Sequence, residues 1–127
     1  MLNEALSDNS LKVRLAAIKA IGALDSEADA LSLMAHSGKV RDEREGRTIK
    51  RTLGEMALDN PDLFIGLFRH EQSAIKTMAC EALVAAGMEV MARLTQVSTE
   101  TQDETMVFWC KKAMKQIKQP RESMFYG

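Results

Sequence analysis

Two columns of residues recur along this chain at nearly the same interval, and that interval restricts the fold more than any single motif. Ile21, Leu53, Leu83 and Met114 hold the same place in four amphipathic stretches, 32, 30 and 31 residues apart. The residues that open those stretches, Ser10, Asp42, Ser73 and Asp103, keep step at 32, 31 and 30. Each carries an oxygen that can accept a bond from the free N–H groups of a helix's first turn. A helical pair of this length cannot bury its apolar face alone, so a shared period in two columns predicts units that stack. The chain divides into units of about residues 1-24, 25-57, 58-86 and 87-118, one domain over 1-119 with a tail at 120-127. Each unit reads as a short helix, a tight turn and a long helix, which makes about eight helices in an all-α fold.

The stretch Asp8 to Leu24, DNSLKVRLAAIKAIGAL, is the clearest copy. Val13, Ala16, Ala17, Ala20, Ile21 and Leu24 fall at spacings of three and four, the pattern of a helix buried on one side. In the second long helix the apolar positions are Ile49, Leu53 and Met56, with Asp42 and Glu45 spaced as a capping box. Gly46 within it calls for either a close helix contact or a kink. Asn60-Pro61-Asp62 is a helix start, with Asn60 as the cap. Ser73 opens the third long helix, whose inward set is Ile75, Met78, Ala79, Ala82, Leu83 and Ala86, and Gly87 ends it. A short helix from Met88 to about Thr95 and a loop VSTETQ follow. Asp103 then opens the last helix, with Met106, Trp109, Cys110, Ala113, Met114 and Ile117 inward.

Composition agrees with helices. The chain holds two prolines, is 46% hydrophobic and 28% charged, and lacks Asn-Gly and Asp-Gly hairpin turns. Its first residues, MLNEALSD, lack the basic segment and apolar core of a signal peptide, and no apolar run could span a bilayer. Cys80 and Cys110 sit inside apolar helical patterns, so they read as buried free thiols in a reducing, cytoplasmic setting.

The segment LSDNSLKVRLAAIKAIGAL resembles the HEAT-repeat consensus: an acid in the turn, a Val-Arg pair, then small and aliphatic residues ending near a glycine. A period near 31 is similar to that of the short bacterial HEAT-like repeats related to phycobilisome lyases. The second unit keeps Leu53-Gly54, the third keeps Ile75-Lys76 and Ala79 to Leu83, and the fourth departs most. Tetratricopeptide and ankyrin signatures are absent. The resemblance implies an α-solenoid, a right-handed superhelix of four stacked helical hairpins whose second helices line the concave face. It also implies that Asp8 and Arg14 serve a polar ladder between repeats, with a charge-assisted bond from Arg14 to a turn carboxylate.

Little in the sequence points to catalysis. His36 and His70 have no partner at ligand spacing and read as surface residues at helix ends, with no metal and no cofactor implied. Charge placement says more. The net charge is -1, yet the long helices carry twelve cations against five anions, leaving the rest of the chain acidic. By the resemblance, the concave face is the basic one. Arg44, Arg47 and Arg51 form a stripe there with Lys50, and Lys12, Lys19 and Lys112 stand in matching columns with Phe108. These eight residues are the candidate partner-binding set. The alternative is a solvated face with local pairs such as Glu43 to Arg47 and Arg51 to Glu55.

The favoured reading is a non-enzymatic adaptor that binds an acidic protein partner, without a membrane. The alternatives are nucleic-acid or phosphate binding through the same arginines, which the net charge disfavours, and an accessory subunit of a lyase-type enzyme. Phe108, Trp109, Phe125 and Tyr126 gather four of six aromatics near the C-terminal end. They predict either a tail that covers the open end of the stack or a weak dimer contact there.

Overall fold

Capping side chains set where the long helices begin. A computed structural model describes residues 2–119 of the chain. The tail, and with it the expected roles of Phe125 and Tyr126, lies outside the described residues. Ser10 accepts from the Val13 N–H and opens α2 (Leu11–Leu24), after the short α1 (Leu2–Ala5). Ser26 accepts from the Asp29 N–H and opens α3 (Glu27–Ser37). Asp42 accepts from the Arg44 N–H and opens α4 (Glu43–Asp59). Then come α5 (Pro61–Gly66) with a 3-10 turn at Leu67–Arg69, α6 (Ser73–Ala86), a 3-10 turn at Gly87–Val90, and α7 (Met91–Glu100). Asp103 accepts from the Thr105 and Met106 N–H groups and opens α8 (Glu104–Lys118).

The described residues form helices and no strand, as an all-α fold requires. Six of the helices reach ten residues or more. α1 and α5, expected as full first helices, have only four and six residues.

Several boundaries differ from the sequence reading. Ser73 is the first residue of α6 and does not cap it; Gln72 precedes the helix without a side-chain bond. Asn60 likewise makes no side-chain cap bond, and Pro61 alone sets the start of α5. The stretch expected as a polar loop is largely helix, since α7 runs on to Glu100. There the Ser98 and Thr99 hydroxyls turn back onto the Thr95 carbonyl, so the polar side chains are satisfied without leaving the helix. Gly87, at φ 86°, ends α6 in a conformation that a side chain would strain.

The long helices touch in chain order, α2 on α4, α4 on α6, α6 on α8, and each packs on the shorter helix before it. Two small-residue crossings set the spacing. A Cβ on Gly22 would stand 2.2 Å from the Thr52 methyl, and one on Gly54 would stand 3.0 Å from the Ala85 Cβ. Those glycines let α2 approach α4 and α4 approach α6. Gly46 does something else: a Cβ there would meet nothing within 4 Å, so the close contact expected of it is absent.

One core runs from α2 to α8, with Ile21, Ile49, Leu53, Phe64, Phe68, Leu83 and Met106 among its buried members. The inward sets expected for α4, α6 and α8 are all buried or packed half-buried against that core. In α2 the expected stripe is out of phase. Val13 and Leu24 are 40% and 59% exposed, and Ala16 is exposed, whereas Arg14, Ala17, Ile18 and Ile21 face inward. The alanines hid the phase, because they fit either side of a helix. An arginine in the true stripe looked like a break, and its partner explains why it is not.

Candidate functional site

That partner is Glu45. Arg14, 5% exposed, and Glu45, 0% exposed, sit at the α2–α4 contact with Arg14 Nη2 2.9 Å from Glu45 Oε1. Nη1 of the same guanidinium donates to the Asp8 and Asn9 carbonyls at 2.8 and 2.9 Å, which ties the α1–α2 turn to the cluster. Glu45 also accepts from the Arg41 N–H at 3.2 Å, and its other oxygen lies 3.3 Å from His36 Nε2. Burial works to raise the Glu45 carboxyl, yet the bonds from Arg14, His36 and the Arg41 N–H outweigh it and hold the group below its ordinary range.

Four expectations change here. Arg14 does reach a carboxylate, but it is on helix α4 and not in a turn. Asp8 contributes its backbone carbonyl to Arg14, while its side chain accepts from the Ser10 N–H at 2.8 Å. Glu45 does not close a capping box on Asp42, because Arg14 and His36 draw its carboxylate toward the core. His36 is buried and bonded, so it is not a surface residue, whereas His70 is half-buried with Nδ1 accepting from the Gln72 N–H. The sequence carried a signal for this: Glu45, Ile49, Leu53 and Met56 share one spacing, which puts the glutamate in phase with the core.

On the outside of α4 the stripe divides by what each cation touches. Arg44 folds back onto the capping Asp42, with Nε at 3.2 Å and Nη2 at 3.1 Å from the carboxylate. The Arg44 hydrogen bonds pull the Asp42 carboxyl down to about 2. Arg47 stands 3.8 Å from Glu43, an ion pair too long for a hydrogen bond. Lys50 and Arg51 are exposed and form no ion pair among the described residues, so the anticipated Arg51 to Glu55 pair is not made. Lys12 and Lys19 of α2 are exposed and unpaired on the same terms.

At the far end, Lys112 is held over aromatic rings, 4.9 Å from the Trp109 centroid and 6.0 Å from that of Phe108. Trp109 is half-buried and stacks on Phe68 at 5.8 Å, which fastens α8 to the turn after α5. Phe108 meets Trp109 edge-on at 5.6 Å and is 59% exposed, as its position off the stripe predicts. A second link, which the sequence reading did not contain, joins α7 to α5: Arg93 clamps Asp62, 31 residues away, with Nε at 2.5 Å.

Between α4 and α6 lies an open groove of about 580 Å³, which the charge pattern did not disclose. Ile49 and Leu53 form one wall and Met78, Ala82 and Ala85 the other. Val40, in the turn after α3, and Gln116 of α8 also line it. Gly46 lines the groove, and the space beside it is the space its missing side chain leaves.

Chemistry is sparse elsewhere. Among the described residues no group of three or more His, Cys, Asp or Glu side chains could hold a metal ion, and no helix is long and apolar enough to cross a membrane. Cys80 and Cys110 are buried and free, as expected, and burial pushes the Cys110 thiol up to about 11. A thiol so placed is a poor nucleophile. No family model, curated protein or solved structure matches this chain.

Proposed function

We propose that the chain is a non-enzymatic adaptor that holds an acidic protein partner on the exposed face of its long helices. The fold behind this reading is an α-solenoid of the HEAT-like kind, with four stacked hairpins, two of which have a first helix of little more than a turn. The serial contact of α2, α4, α6 and α8 and the inter-unit bonds of Arg14 and Arg93 support it. The observation that carries the functional reading is the row Arg47, Lys50 and Arg51 on α4, exposed and for the most part unpaired, beside Lys12 and Lys19 on α2. Cations held on rigid helices without local partners favour carboxylates brought by another molecule.

Phosphate or nucleic-acid binding would draw on the same residues. The engagement of Arg44 by Asp42 speaks against it, since the one guanidinium at the head of the row already holds a carboxylate in its fork. An accessory role to a lyase-type enzyme has only the family resemblance behind it. Fluorescence anisotropy with a labelled oligoglutamate peptide and a labelled DNA duplex tests the choice. The adaptor reading predicts binding of the peptide, weakening with salt, and weaker binding of the duplex. Tighter duplex binding with a steep salt slope would overturn it.

A further inference from the structure

We infer that the groove between α4 and α6 is the seat of one amphipathic helix from a partner protein, with carboxylates along one flank and amines along the other. The inference rests on the adaptor reading and adds to it where the partner lies and how it is oriented. Gly46, Ile49, Lys50 and Leu53 on α4 face Met78, Glu81, Ala82 and Ala85 on α6 across the groove. Each set repeats at three and four, so two helical ridges border a trough about two turns long, the form that accepts a third helix. Its volume is within the range of clefts that bury a ligand, about 300–1,000 Å³. Anchors at i, i+3 or i+4 and i+7 of an incoming helix match the trough's length.

Charge identifies the occupant. Lys50 stands on the α4 wall and Glu81 on the α6 wall, and neither forms an ion pair among the described residues. A helix lying in the trough therefore meets a cation on one side and an anion on the other. Arg47 and Arg51 lie next to Lys50 along α4, so the α4 side is the stronger of the two and the partner's acidic flank the longer. Reversing the helix end for end exchanges its flanks, so the two walls also select one direction.

The test uses the full chain and a synthetic helical peptide of about four turns, with a leucine stripe, glutamates on one flank and lysines on the other. Anisotropy of a fluorescein label reports binding. A nitroxide at the peptide N-terminus reports direction through NMR line broadening near Gly46 or near Leu53, the two ends of the α4 wall. The expected result is binding, broadening at one of these positions, and a shift to the other when the peptide flanks are exchanged. Gly46→Leu fills the trough and should weaken binding by about tenfold or more. Lys50→Glu puts an anion on the α4 wall between Arg47 and Arg51 and should weaken binding of the peptide and blunt its preference for one direction, which keeps the test decisive if Gly46→Leu folds poorly. Binding unchanged by both substitutions overturns the groove as the site. If Arg44, Arg47 and Arg51 changed to glutamate then abolish that binding, the adaptor reading stands without the groove. If they do not, both fall.

Discussion

Removing the Glu45 carboxylate should cost more stability than any other single polar change in this chain. Glu45→Ala leaves the Arg14 guanidinium buried with only two backbone carbonyls, and leaves His36 and the Arg41 N–H without their acceptor. Breaking one side of a buried ion pair typically costs about 3–5 kcal/mol, because the surviving charge cannot regain its water. The bonds to backbone soften the loss at Arg14, so the lower half of that range is expected. For a domain of this size it corresponds to a drop of roughly 10–20 °C in Tm. Arg14→Leu together with Glu45→Leu removes both charges and should recover more than half of the loss. Circular-dichroism melts and urea titrations of the wild type, both single variants and the double variant give the coupling energy, expected to exceed about 2 kcal/mol. A Glu45→Ala cost under about 1 kcal/mol, or coupling near zero, would refute the claim that the pair joins α2 to α4.

Acid should unfold the protein through the same group. Because the folded Glu45 and Asp42 carboxyls lie below their ordinary values, their contribution is complete above those values and fades as pH falls through the folded ones. Stability should therefore decline from about pH 4.5 toward about 2, and Glu45→Gln should flatten the slope; an identical slope would contradict the assignment. Gly22→Ala should destabilise by about 1–3 kcal/mol, since Thr52 is β-branched and buried and cannot yield. Gly46→Ala should instead stabilise by about 1 kcal/mol, having helix propensity to gain and nothing to strike. Equal effects in melts of the two variants would show that the crossing at Gly22 is not tight. Cys80 and Cys110 should react with a thiol reagent only as the fold opens, and prompt labelling of the native protein would place them nearer the surface.

The long helices were legible because capping and apolar periodicity are local properties. Ser10, Asp42 and Asp103 cap as their spacing predicts, and Ile21, Leu53 and Leu83 are buried. Failures came where tertiary partners decide. Arg14 is admitted to the core only because Glu45 meets it from the next unit, and no window on α2 alone reveals that. His36 followed Glu45 inside for the same reason. The surface was half legible. Charge counting found the row on α4, but not that Arg44 would spend its fork on Asp42. It also could not place the groove, which depends on how α4 and α6 lie together and on the side chain that Gly46 lacks.

In the proposed function, exposed cations on α2 and α4 hold an acidic partner while the buried polar cluster holds the fold. The most direct measurement compares the wild type with the variant carrying Arg44→Glu, Arg47→Glu and Arg51→Glu, both shown by melting to be folded. Each is titrated by calorimetry with the peptide bearing glutamates along one flank. The expected result is an unchanged melt, within a few degrees, and binding weakened by about tenfold or more at moderate salt. Equal affinity in the two folded proteins would contradict it.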